Sequence, residues 1–364
     1  MEQSVEARFQ TLHEIVRAAH ANLNRNVWDY LIGGSETETS LARNRQAIDS
    51  IGFRPRVLCD VSKIETRTTL FGKPLRIPVL LAPVGSLESF EPGGGGTVAE
   101  AAAIFGNGML LSSVSEPGLE ATAAKAGKAL KIFQLYVRGD EHFVEDYFRR
   151  AMDNGYDAFC FTVDTAHYSR RERDTAKRYN RARAGAPGRD FQAKLTWRDI
   201  DRYRAKFKIP FILKGIATAE DASLAVEHGI DAVYVSNHGG RQLDHCLGSM
   251  EVLPEVVEAV NGRAKVIIDG GFYRGTDVVK AIAMGADVVS CGRLYVYGLA
   301  AAGAPGIVRV LEILEDEITI CLALLGCPSV SGLNKSYVQR TSHVMPAHVH
   351  SAFNPLLDPL PFRY

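Results

Sequence analysis

Neither sign of charge is in surplus in this chain of 364 residues: 42 lysines and arginines face 42 aspartates and glutamates. That parity removes the basic excess on which nucleic-acid or anionic-membrane binding depends, while leaving room for a local anion site. Cysteine is sparse. The six (Cys59, Cys160, Cys246, Cys291, Cys321, Cys327) form no CxxC pair and no zinc-type spacing. Cys160 and Cys291 fall inside apolar runs, where cysteine acts as a small hydrophobe. No stretch approaches ~18 uninterrupted apolar residues, so no membrane span is expected. The opening Met1-Glu2-Gln3-Ser4-Val5-Glu6 has neither the basic nor the apolar part of a secretory signal. A soluble protein of the reducing cytoplasm is the expectation. There is also no GxGxxG after the first strand-like run. The glycine run Gly93–Gly96 lacks the lysine of a phosphate loop and reads as a turn before a helix.

What is present is rhythm. From residue 77, eight short apolar runs recur: Ile77–Ala82, Met109–Ser113, Ile132–Val137, Ala158–Val163, Pro210–Lys214, Ala232–Val235, Lys265–Ile268 and Asp287–Ser290. Most are apolar without alternation, as strands covered on both faces must be. Helix-compatible stretches separate them, among them Gly94–Phe105, Glu141–Asn154, Ala219–His228 and Thr276–Met284. Eight βα units in a chain of this length predict an α/β fold of the closed (β/α)8 TIM-barrel kind, with an open doubly wound sheet as the alternative. The expected organisation is one domain over 1–364, with helices in 1–50, the barrel in 51–340 and an extended tail, 341–364. In the first part, Val5, Phe9, Leu12, Ile15, Val16 and Ala19 make one apolar stripe, and Val27–Leu31 runs into Gly33. Tyr30 fits either a core aromatic or a polar tip reaching a cleft. Residues 166–209 read as the longest irregular connection, charged like a solvated face, with Gly185–Gly188 suited to a lid. An amphipathic helix is predicted after Gly306. The tail is read as disordered or as an arm on a neighbouring subunit. His348 and His350 lack a carboxylate or cysteine companion, and no metal is expected.

Polar residues cluster at the carboxyl ends of the eight runs, the face where barrels keep their chemistry. The richest is Ser236-Asn237-His238-Gly239-Gly240-Arg241-Gln242-Leu243-Asp244. An imidazole titrating near neutrality and a guanidinium fork three residues on suggest a base beside a carboxylate clamp. Asp269-Gly270-Gly271 and Gly292-Arg293 close the seventh and eighth units, where many barrels bind phosphate.

Taken together, this nine-residue string, Gln134–Val137, Thr162–Thr165, Arg170–Glu172, Leu213–Gly215 and Asp269–Gly271 resemble the FMN-dependent L-2-hydroxy acid oxidase/dehydrogenase family over roughly residues 8 to 340. The resemblance implies FMN at the mouth of a barrel and oxidation of an (S)-2-hydroxy acid to the 2-oxo acid. It implies His238 as the base, oriented by Asp164, and leaves open whether the hydroxyl or the α-carbon proton is removed. Arg241 and Tyr30, with Arg171 nearby, would hold the substrate carboxylate, Tyr136 the reacting oxygen, and Lys214 the flavin N1/C2=O edge. Pro83, Val84, Gly85, Ser112, Gln134, Thr162, Lys214, Ser236, Asp269, Gly271, Arg274, Gly292 and Arg293 would surround FMN. A homotetramer is implied, with oxygen or another acceptor taking the electrons.

Three departures qualify the resemblance. Tyr273 stands where an arginine often contacts the phosphate, which leaves that charge to Arg293 and Arg274. Val114 replaces a tryptophan of glycolate oxidase, making room for a substrate bulkier than glycolate, aromatic or branched. The connection from Arg171 to Lys214 is shorter than in glycolate oxidase and lacks a membrane-binding insertion. Gly85, where the family carries alanine or glycine, weakens the case for a simple oxidase. Rival readings are another FMN- or phosphate-binding barrel (an isomerase or nucleotide dehydrogenase), which needs no carboxylate clamp, and a non-catalytic barrel, which would not keep His238, Arg241 and Lys214 together.

Overall fold

The computed structural model describes residues 4–179 and 189–353. Eight parallel strands close into a barrel in chain order: β1 (Val79–Leu81), β2 (Gly108–Ser112), β3 (Lys131–Leu135), β4 (Ala158–Thr162), β5 (Phe211–Ile216), β6 (Ala232–Val235), β7 (Lys265–Ile268) and β8 (Val288–Cys291). All eight fall on the runs expected from the sequence. Their inward side chains alternate with outward ones, the two-residue period of a strand. Leu80, Leu110, Ile132, Cys160, Ile212, Tyr234, Ile267 and Val288 form a sealed apolar core inside the barrel. A hairpin pairing Thr68–Leu70 with Lys73–Leu75 adds Leu70 and Leu75 to that core. The outward residues belong to the larger core shared with the helices.

Two residues further along, the same inward positions turn polar on seven of the eight strands: Ser112, Gln134, Thr162, Lys214, Ser236, Asp269 and Ser290, all buried, with Ala82 the exception on β1. Alternation therefore lays a polar floor directly above an apolar plug. Strand pairing keeps these floor residues level, with Ser112 opposite Gln134 and Thr162 opposite Lys214.

The N-terminal stripe is cut in two. A short helix ends before Phe9, and Thr11 and Glu14 cap the next helix reciprocally, so Leu12–Asn22 starts afresh. The helices Arg25–Ile32 and Thr39–Asp49 follow. Three expectations need correction. The stretch 166–209 is not irregular throughout: Trp197–Lys206 is the helix between β4 and β5. It buries only Ile200 and Tyr203, so its charged remainder masks the period. Helix also resumes directly after β8, at Arg293, and breaks at Ala302–Gly303 before running on to Leu325. Finally, the tail as far as Phe353 is neither extended away nor free. His350 is buried between Trp28 and Tyr297 and is bonded to the Tyr297 hydroxyl at 3.2 Å, and Phe353 packs on Tyr273. The glycine segment 185–188 and the prolines beyond 353 lie outside the described residues. Among the described residues no helix is long and apolar enough to cross a membrane, and no cluster of three potential metal ligands occurs.

Candidate active site

The carboxyl ends of the strands open into a cavity of about 480 Å³, within the roughly 300–1,000 Å³ of small-molecule sites. Tyr30, Pro83, Val84, Gly85, Val114, Tyr136, Arg171, Lys214, His238, Arg241, Asp269, Gly271, Gly292 and Arg293 line it together, as the sequence reading required. Ser112, Gln134, Thr162 and Ser236 sit in the buried floor. Arg274 does not join them. It caps the Gly275–Ala283 helix and pairs with Glu317 at 2.5 Å, on the far side of that turn from the cavity-lining Tyr273. Residues the sequence reading passed over also line the cavity, among them Ser290, Arg138, Tyr168 and Phe90. Ser290 was findable as the position two beyond Val288 on an inward face.

His238 follows β6 on a turn whose backbone is left-handed at three successive residues: φ is 59° at His238, 65° at Gly239 and 74° at Gly240. A Cβ at Gly240 would lie 2.5 Å from the Leu41 amide nitrogen, so only glycine lets the turn pack there. The strained His238 backbone aims its ring at two partners. Nδ1 lies 3.0 Å from Asp164 Oδ1 and 3.2 Å from Oδ2, and Nε2 lies 3.3 Å from the Tyr136 hydroxyl. The tautomer that satisfies both carries its proton on Nδ1, donated to Asp164, which leaves Nε2 as the acceptor. Burial holds the His238 pKa below 6.5, and Lys214 and Arg171 add to that, against the opposing pull of Asp164. The ring is therefore neutral near pH 7, as a base must be. Burial pushes Asp164 upward, but His238 and Lys214 outweigh it, and the carboxylate stays ionised.

Arg241 donates through one terminal nitrogen to the carbonyls of Tyr30 (2.7 Å) and Gly33 (2.8 Å), and its guanidinium lies 4.9 Å over the Tyr30 ring. These carbonyls end the Arg25–Ile32 helix, where partial negative charge collects. Burial first, then the neighbouring Arg171 and Arg293, push the Arg241 pKa down to about 9. It remains charged at neutrality, and its shift shows how strongly the site favours an incoming anion.

The floor is suited to a polar, ring-shaped guest. Both amide atoms of Gln134, the Thr162 hydroxyl and one oxygen of Asp269 are buried without a hydrogen-bond partner among the described residues. Such orphans cost about 1–3 kcal/mol each unless a ligand meets them. Lys214 bonds Ser236 at 3.0 Å and pairs with Asp269 at 3.6 Å. Burial opposes its charge, but Asp269 and Asp164 prevail and raise its pKa, so a fixed cation stands in the floor. At the phosphate-sized end, a Cβ on Gly292 would meet nothing nearer than 3.9 Å, leaving its backbone open to a ligand.

A barrel with a polar floor, a buried lysine, a His–Asp pair and an arginine clamp defines a flavin-dependent oxidoreductase of hydroxy acids. Residues 19–340 match the family described as FMN-dependent dehydrogenase, and the chain belongs to it. The cofactor of that family, FMN, fits the orphaned floor described above. The chain is 37% identical to an L-lactate oxidase of Nostoc sp. strain PCC 7120, over 90% of this chain and 97% of that protein. It is also 37% identical to a glycolate oxidase of Spinacia oleracea, over 90% and 95%. Among solved structures, mandelate oxidase with (S)-2-phenylpropionate aligns with a TM-score of 0.85 at 38% identity, covering 93% of this chain and all of that one. A mandelate oxidase variant with a C4a-OH-FMN adduct aligns with a TM-score of 0.84.

Proposed function

We propose that this protein oxidises an (S)-2-hydroxy acid larger than glycolate to the 2-oxo acid. The observation that carries the reading is the convergence of His238, Asp164, Tyr136 and Arg241 on one cavity above an unsatisfied polar floor. Gln134, Thr162, Lys214, Ser236, Asp269 and the backbone of Gly271 and Gly292 would hold FMN, which would supply the two-electron acceptor. Arg241, with Arg171 and the Tyr30 hydroxyl, takes the substrate carboxylate and fixes C2 against that acceptor. Tyr136 donates to the C2 oxygen. Oxidising the CH–OH group removes two electrons and two protons, and His238 Nε2 accepts one of those protons. Asp164 stabilises the resulting imidazolium. Lys214 offsets negative charge as the acceptor is reduced. Val114 and Gly85 set the near wall: a Cβ at Gly85 would lie 2.9 Å from a Val114 methyl, so glycine here accommodates the valine.

A single domain over 1–364 with its barrel in 51–340, homotetrameric assembly and cytoplasmic residence belong to the same proposal. The mass of the protein in solution tests the assembly. The purified protein is expected to be yellow, and its flavin to bleach anaerobically with aromatic, branched or longer 2-hydroxy acids before glycolate. A colourless protein that FMN cannot reconstitute, or a flavin that no hydroxy acid reduces, overturns the reading. Mixing the reduced protein with oxygen then separates an oxidase from an enzyme that uses another acceptor.

A further inference from the structure

Past the end of β3 at Leu135 the chain runs on along the cavity. Gln134 lies in the floor, Tyr136 and Arg138 line the cavity above it, and the intervening Leu135 and Val137 are buried in the outer core. One edge of the site therefore passes from the flavin floor, to the reacting carbon at Tyr136, to Arg138 near the mouth. The Arg138 guanidinium donates to the Tyr168 hydroxyl at 2.8 Å, and Tyr168 also lines the cavity. Arg138 has no carboxylate partner among the described residues.

Counting charge sharpens the point. Five cationic side chains line the cavity (Arg138, Arg171, Lys214, Arg241 and Arg293) against one carboxylate, Asp269, which Lys214 already pairs. A phosphate group brings roughly two negative charges at neutral pH, and one substrate carboxylate brings one more. Asp164, ionised behind His238, takes up the remaining charge, and among the five cations Arg138 is the one with neither a carboxylate nor a backbone-carbonyl partner among the described residues.

We propose that Arg138 and Tyr168 form a subsite for a second carboxylate at the far end of the substrate, which makes short 2-hydroxy dicarboxylic acids the preferred class. This rests on the hydroxy-acid reading above and adds the distal group to it. Arg138 binds that group bidentately, with Tyr168 holding the guanidinium in plane. Phe90, stacked on Tyr30, and Val114 supply the apolar sides that the methylene chain crosses.

The test compares equal-length pairs by anaerobic flavin reduction: (S)-2-hydroxyglutarate against (S)-2-hydroxyvalerate, and (S)-malate against (S)-2-hydroxybutyrate. The wild-type protein is expected to favour the diacid in kcat/KM, through KM rather than kcat. In Arg138→Gln the diacid-to-monoacid ratio should fall about 10- to 100-fold, the range of one charge-assisted hydrogen bond. Arg138→Lys should restore part of it. If Arg138→Gln does not fold, the wild-type ratios decide alone. Reduction by monoacids with no preference for diacids, or a preference for aromatic acids over both, overturns the proposal and leaves the hydroxy-acid reading standing. Failure of every hydroxy acid to reduce the flavin removes both.

Discussion

His238 combines three properties that seldom meet in one side chain: a left-handed backbone, a ring only partly exposed at the cavity, and a carboxylate and a phenol on its two nitrogens. Replacing it with alanine should leave FMN bound, because the floor residues are untouched, while slowing flavin reduction by about 10²–10⁴-fold. Near-normal reduction in His238→Ala would remove it from its role. The pH dependence has a definite sign. Because burial lowers the His238 pKa, the free base persists as pH falls past 6.5, and the rate of reduction should decline only below that value. An acid limb centred above 6.5 would contradict the environment described. His238, Arg241 and Lys214 were legible in the sequence because they interrupt apolar runs with residue types that only a strand end tolerates. Arg138 was not, since a single arginine after a strand looks like any solvated charge until its inward direction is known.

At the scale of elements, the Gly275–Ala283 helix and the Thr39–Asp49 helix are joined by a buried ion pair. Asp277 accepts from both terminal nitrogens of Arg45, at 2.6 and 2.9 Å, and from the amides of Tyr273 and Arg274, each at 3.0 Å. Arg45 also holds the Gly271 carbonyl at 3.0 Å, so this pair braces the turn after β7. Asp277→Ala should cost about 1–3 kcal/mol, since Arg45 keeps Asp49 at 2.6 Å while the amides of Tyr273 and Arg274 lose their acceptor, and should loosen FMN. An unchanged urea midpoint would refute that. Burial works against the Asp277 charge, but Arg45 more than compensates and sets its pKa below the usual carboxylate value. The pair's stabilisation is therefore complete above the unfolded pKa of about 3.9 and disappears as pH falls through the lower folded one. Strands were readable where both faces are buried and the runs stay apolar. The Trp197–Lys206 helix was not, because two buried residues in ten are too few to mark a period.

For the molecule as a whole, the N-terminal helices and the tail close the barrel from outside. Val349 and Phe353 are buried, and His350 fills the gap between Trp28 and Tyr297. A chain ending at Ser342 loses two buried apolar side chains worth roughly 1.5–3 kcal/mol each. It should melt earlier and release FMN more readily, because Tyr273, which lines the cavity, loses Phe353 as its backing. A truncated protein with wild-type melting and flavin retention would show the tail to be dispensable. The sequence could not announce this, since prolines and histidines mark an extended path without naming the surface it lies on. One atom in this outer layer has a role beyond packing. The Gly33 carbonyl oxygen accepts from Arg241 at 2.8 Å and from Arg293 at 2.8 Å. Arg241 faces the hydroxy-acid pocket and Arg293 the end where a nucleotide phosphate would rest. On the proposed function, a guanidinium drawn toward one newcomer would leave this shared acceptor to the other, which would link seating of the cofactor to gripping of the substrate.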